Sequence, residues 1–489
     1  LAIKQNRRNN KLNKSSLIEA LKTFTPREMK EFSEFVSSPF FNKNVNVIKL
    51  FELIKKNYPE FEPIKIGKEK VFAKIFPGKP FKDSTLRLLM YYLYELVEKF
   101  LAYSRFNNDK FRQKDILLEE LFERKLFKDY EKIIDAATGD LDEMKVRDNN
   151  YYRNRYLFAE HKLSYLAEIY MGKYEKYLTK DNIQLFSDNI TNFYLFSVLK
   201  YYAITLNTMY LYNVKVDTAI FENILLNFNI EHFHNAPLIV IYFRVIMLFV
   251  KPEDEENYHK LKELIIKHEN ELGDSIGDFY INMENYCVRN LRMGKLEYLE
   301  ESFKIYELEI KKNTYQTNGF MPNTFFSSMV VTASKLKKFD WLRSFIKDHK
   351  DELHESSREA YYYYGLAYVE NEEGYYEKGL EYLAKSKPEE VYLKMDLRIL
   401  QSRIYYGLVW TLPLQSLLDT FKKTAQNNKF MTDMRKNQYL KFIKYTNQLN
   451  NVRYKEDKAA AGELLYELER DEYFAYKMWI LDEVKKLTE

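Results

Sequence analysis

The chain of 489 residues has a single cysteine, Cys287. No intramolecular disulfide can form, and a reducing, cytoplasmic compartment is the simplest expectation. Glycine and proline are also scarce, at 13 and 11 residues. An all-β chain of this length would need far more turn residues, so helices are favoured. Long apolar runs are missing. The longest, Pro237 to Val250 ("PLIVIYFRVIMLFV"), contains Arg244 and falls short of the ~20 residues a bilayer requires. It reads as a buried helix, and no membrane partner is expected. The opening "LAIKQNRRNNKLNKSSLIEALKTF" has no apolar core beside a cleavage site, so no secretory signal is expected there.

A strong charge excess is missing as well. The 76 basic and 72 acidic residues leave +4. Residues 1–16 hold Lys4, Arg7, Arg8, Lys11 and Lys14 and no acid, which is +5, so the remainder carries −1. Basicity belongs to the tail and not to the body. A near-neutral body does not look like a nucleic-acid-binding surface. The five tail cations, set among asparagines and serines, suit a contact with nucleic acid or an acidic protein. The plainer reading of the tail is a solubilising terminus.

Motifs for chemistry are absent or incomplete. "IFPGKPF" (75–81) lacks the G-x-x-x-x-G-K-[ST] pattern of a phosphate loop, and no G-x-S-x-G or Rossmann fingerprint occurs. His349 and His354 in "HKDELHE" are five apart, where a zinc-peptidase helix needs i and i+4. They read as a solvated helix end. His232 and His234 in "EHFHNAP" lack a third ligand nearby, although His259 can be pictured joining them. The acids Glu253, Asp254, Glu255 and Glu256 suit a helix start, with Pro252 near the first helical position. Cys287 in "NMENYCVRNL" has no adjacent base and reads as packed. No catalytic residue, metal or cofactor is assigned. A helix-turn-helix over 68–101 is disfavoured, because "FPGKPFKDS" is too long a turn and the second helix offers only Arg87 for base contacts.

What is present is apolar, charged and aromatic. Hydrophobic residues make up 46% and charged residues 30%, which excludes a disordered chain. The 42 tyrosines read mainly as packing, since large flat rings fill gaps between helices.

The clearest pattern lies in "YYYYGLAYVENEEGYYEKGLEYLAKSKP" (361–388). Tyr361, Tyr364 and Tyr368 fall on one helix face. Gly365 lets a neighbouring helix approach. Gly374 suits a left-handed helix end. A second helix then places Tyr376, Leu380 and Leu383 on one face, Gly379 again permits close packing, and Pro388 stops it. This αα-hairpin resembles the tetratricopeptide (TPR) repeat, with Gly365, Tyr368, Gly374, Tyr376, Gly379, Leu383 and Pro388 in comparable roles. It departs from that pattern in a longer turn and in Gly379, where alanine is usual.

The same punctuation recurs, with anchors at Phe127, Tyr174, Val216, Tyr258, Leu296, Phe339, Tyr376 and Thr411. The mean step is about 40 residues, near the length of helical repeats. Before them, residues 17–110 form a separate helical module, with Thr25, Pro26 and Glu28 marking a helix start. The segments "SPFFNK" and "IFPGKPFKDSTLR" make the whole chain similar to a broad group of bacterial helical-repeat proteins. That resemblance implies an architecture and no activity.

The expectation is therefore an all-α chain. It has a basic tail (1–16), an N-terminal helical module (17–110), TPR-like αα-hairpins forming a superhelix (111–470) and a capping helix (471–489). On that last helix Phe474, Met478, Leu481 and Lys485 are placed on one side. Solenoids present extended grooves, so a non-catalytic scaffold holding a protein or peptide partner is the expected function. Nucleic-acid or ribosome association through the tail is the alternative.

Overall fold

The structure is a computed structural model. It describes residues 15–61, 67–176, 179–212, 214–233, 235–428, 431, 433–472 and 474–488. Among these the regular structure is helical, and the only β-type pairings are two isolated bridges, Thr317–Phe320 and Met321–Leu353. No described helix is long and apolar enough to cross a membrane. The chain forms two compact units: Leu1–Asp142 with Leu157–Leu178, and Glu143–Tyr156 with Thr179–Glu489.

The first unit opens with helices Ser16–Lys22, Pro26–Ser37, Val45–Lys55, Lys68–Ile75 and Asp83–Asn108. Thr25 caps the second helix as its sequence predicts. Its hydroxyl accepts from the Glu28 amide, and the Glu28 carboxylate accepts from the Thr25 amide at 2.7 Å. The long helix buries Leu86, Leu89, Leu93, Leu96, Val97 and Phe100 at helical spacing. These meet Leu17, Phe32, Leu50 and Phe51 in one core, with Phe32 edge-on to both Phe24 and Phe51. Each such side chain stabilises the fold by roughly 1.5–3 kcal/mol. The long helix is thus the core helix of this module. Its Arg87 pairs with Asp83 at 2.6 Å on the exposed side of the helix.

In the second unit, consecutive helices pack as antiparallel pairs. Examples are Pro237–Val250 with Glu255–Lys267, Ser275–Arg292 with Tyr298–Lys312, Glu355–Glu372 with Tyr376–Lys385, and Val391–Gly407 with Thr411–Asn427. Tyr361, Tyr364 and Tyr368 are buried on one face. A Cβ at Gly365 would stand 3.0 Å from Ile346 Cδ1, so the close approach expected there occurs.

The turns share one geometry. Residues two positions before six of the eight anchors are left-handed: Lys125, Gly172, Gly294, Lys337, Gly374 and Val409. At Gly374 (φ 83°) its amide donates to Asn371 O, and the Tyr375 amide donates to Glu370 O at 2.8 Å. Val409 repeats this with Tyr406 O and Tyr405 O, at 3.0 and 2.9 Å. These paired bonds satisfy carbonyls at the helix end. Glu456 (φ 53°) makes the same turn before Lys458–Arg470, a position with neither glycine nor an aromatic to announce it.

Two expectations are corrected. Pro252 is not near the first helical position; the helix begins at Glu255 and Asp254 caps it by accepting from Asn257 N at 3.1 Å. The C-terminal helix runs Lys477–Thr488 and buries Ile480, Leu481 and Val484, while Met478 is exposed. Left-handed Tyr476 (φ 64°) interrupts the helical register after Phe474, so the two sides do not continue one stripe.

Candidate functional site

The five tail cations, Lys4, Arg7, Arg8, Lys11 and Lys14, lie outside the described residues, as does His234. No group of three or more metal-ligating side chains occurs among the described residues. His232 and His259 are both exposed.

His349 and His354 are not a loosely solvated pair. His349 ends the helix Phe339–Asp348, and its Nδ1 lies 2.8 Å from Glu352 Oε1. Tyr315 donates to the other Glu352 oxygen at 2.5 Å. His354 caps the next helix by accepting from Ser356 N. The same device stands earlier: His268 Nδ1 lies 2.8 Å from Glu271 Oε1. "KHENEL" and "DHKDEL" are therefore two copies of an H-x-x-E-L helix end, each burying its leucine, Leu272 or Leu353.

Three clusters resemble chemistry more closely. In the first unit Asp115 Oδ1 lies 2.7 Å from His161 Nε2, and the Tyr130 hydroxyl lies 3.1 Å from His161 Nδ1. The set looks like a proton relay. Tyr130, however, is 1% exposed, donates to His161 O, and burial pushes its hydroxyl up to about 12. His161 and Asp115 keep some exposure, and the cluster joins three helices through these bonds.

In the second unit Tyr258 donates to Glu301 Oε1 at 2.8 Å and lies 3.5 Å from Cys287 Sγ. Lys262 donates to the same carboxylate at 2.6 Å. Burial works to raise the Glu301 carboxyl, but these bonds hold it below its ordinary value. Burial pushes the Cys287 thiol up to about 12. A nucleophilic cysteine needs the opposite shift, so this thiol is a packing group. The third cluster is a buried carboxyl pair, Glu284 and Glu309, both raised, chiefly by burial.

Several contacts of the second unit span about 40 residues, beside others that are shorter or longer. Lys262 to Glu301 spans 39 residues, Arg289 to Leu248 O 41, Tyr439 to Asp396 43 and Asn450 to Thr411 O 39. This matches the step of about 40 residues between turns.

The described residues also form open grooves, among them one of about 520 Å³ at the turn of residues 409–413 and two between helices. One, of about 590 Å³, lies in the first unit between Pro26–Ser37 and Asp83–Asn108. The other, of about 410 Å³, lies in the second unit against Pro237–Val250 and Glu255–Lys267. The second has apolar walls at Pro237, Val240 and Leu264 and is rimmed by Lys267 and His268. Arg244 stands on its wall, donating through Nη1 to Asn257 Oδ1 at 3.2 Å, with Nε buried and unpaired. Arg244 has no carboxylate within ion-pair distance among the described residues. The sequence shows Arg244 only as an interruption of an apolar run.

No family model, curated protein or solved structure matches the chain. Its polar clusters are closed between packed helices, and its grooves are open to solvent.

Proposed function

We propose that the protein is a non-catalytic scaffold, its helical pairs stacked as a TPR-like superhelix that holds a protein or peptide partner. The supporting observation is the Arg244 groove: a concave surface between two paired helices, apolar at Pro237, Val240 and Leu264, whose lining carries Arg244, Lys260 and Lys267 against Glu231 and Glu263, with Arg244 in no ion pair among the described residues. Amphipathic partner segments dock in such grooves. Clusters with catalytic residue types are occupied by inter-helix bonds, which suits a structural body carrying a binding surface.

Native mass spectrometry of the protein purified from its own host at low salt tests this. A stoichiometric protein partner, lost with Arg244→Gln at unchanged thermal midpoint, is the expected result. Co-purifying RNA or DNA that is released as salt rises would overturn it in favour of the basic tail.

A further inference from the structure

We propose that the groove of the first unit binds a basic segment of a protein partner. It would take an arginine or lysine side chain between the ring of Tyr103 and the carboxylates of Glu31 and Glu34. This surface is separate from the Arg244 groove and does not depend on it.

The helix Pro26–Ser37 presents Glu28, Glu31 and Glu34 three residues apart, on one face along the groove. Glu28 is engaged by Thr25 N and Oγ1, at 2.7 and 2.8 Å. Glu31 holds Arg27 at 2.8 Å, but that guanidinium is 87% exposed, and so solvated a pair exchanges partners at little cost. Glu34 is exposed and has no ion-pair partner among the described residues. The lining carries three carboxylates against one guanidinium, a charge of −2 in a chain of +4.

The floor is aromatic, which separates this groove from a merely acidic helix face. Phe35 and Phe41 stack at 3.9 Å, and Tyr103 stands 5.6 Å from Phe41. Phe35 and Phe100 are buried in the module core, so the floor is fixed before anything binds. The rings also reach solvent. Tyr103 is 47% exposed, and Phe40, edge-on to Phe41 at 5.0 Å, is 87% exposed. Rings left in water beside a concave surface mark a contact site. A cation gains from a ring face within ~6 Å and from a carboxylate on the same wall. An acidic segment gains from neither and is repelled. Asn107 and Ser104 at the far wall offer hydrogen bonds to a peptide main chain.

The test is fluorescence anisotropy on the full chain. The probes are a fluorescein-labelled peptide of alternating glycine and arginine and its glutamate counterpart. The arginine peptide is expected to bind and the glutamate peptide not. Glu34→Lys should weaken binding about tenfold, and Tyr103→Ala about threefold. Glu463→Lys, the same charge change on the second unit, should leave affinity unchanged. Equal thermal midpoints establish that each variant is folded. Wild-type affinity in Glu34→Lys, or equal binding of both peptides, would overturn the proposal. A full chain with Lys4, Arg7, Arg8, Lys11 and Lys14 replaced by glutamine should bind as wild type. If it bound tenfold tighter, the groove would belong to the chain's own basic segment and the partner assignment would fall.

Discussion

Tyr376 takes the place of a side chain at residue 407. A Cβ built on Gly407 would stand 2.3 Å from Tyr376 Cζ. The first residue of one helix thus packs its phenol end on the last residue of the next. Gly407→Ala forces the ring aside and should cost roughly 1–3 kcal/mol in overpacking, partly offset by ~1 kcal/mol of helix propensity. Urea unfolding should show a lower midpoint at unchanged slope. An unchanged midpoint would mean that Tyr376 swings away freely.

Val409 holds a left-handed conformation (φ 60°) that a β-branched residue resists. It is also exposed, so little burial is lost with its side chain. Val409→Gly should stabilise the protein by about 0.5–1 kcal/mol. Thermal unfolding should register a higher midpoint. A lower one would mean that the valine side chain contributes contacts outweighing its strain.

Burial lifts the Asp396 carboxyl from its ordinary 3.8 to about 7, against the pull of Arg435 and of the Tyr439 hydroxyl. The folded state therefore holds this proton more tightly than the unfolded chain does. The resulting stability is fully present below about pH 4 and is lost as pH rises through about 7. The loss should be on the order of 4 kcal/mol. Asp396→Asn stays neutral and can still accept from Tyr439, so it should flatten the decline and be the more stable protein at pH 8. Slope left in that variant is expected from Asp278, Glu284 and Glu309, whose carboxyls burial also raises. Denaturant titrations across this pH range would show whether the substitution acts as expected.

Cys287 is fully buried with its thiol raised to about 12. A thiol reagent at pH 8 should find no reactive group in the native protein and one after denaturation. Rapid labelling of the folded chain would contradict the packed assignment.

The parts legible in the sequence are those set by local chemistry. The Thr25–Glu28 cap, the Pro237–Val250 helix and the hairpin around Gly374 rest on residues a few positions apart. Turns at Lys125, Lys337 and Val409 were found through the aromatic or threonine anchor that follows them. The turn at Glu456 had no such anchor and was missed. The face of the last helix was misplaced because nothing in "EYFAY" signals that Tyr476 turns left-handed. The polar clusters were beyond reach for another reason. Tyr258 meets Glu301 and Asp115 meets His161 only after helices pack, 43 and 46 residues apart. Candidate chemistry sought within one short motif cannot see such pairs. The first-unit groove is not legible in the sequence: Phe41 of "SPFFNK" meets Tyr103 only once the long helix packs, 62 residues away.

The moderate span of many polar contacts between helices bears on how the chain is made. A contact between residues about 40 positions apart can close as soon as that much more chain has left the ribosome. Each pair in the second unit can then dock on its predecessor while synthesis continues, with little loop-closure cost. Some ties reach further, such as Asn207 to Asn285 across 78 residues, and another reaches further still. The Arg147 amide donates to Glu271 O at 2.8 Å, and Val146 lies against Gly273. This segment must wait through 124 further residues before its partner exists. A pause or truncation between those points would leave Val146 and the Arg147 amide without these partners, and so a place for a chaperone to hold.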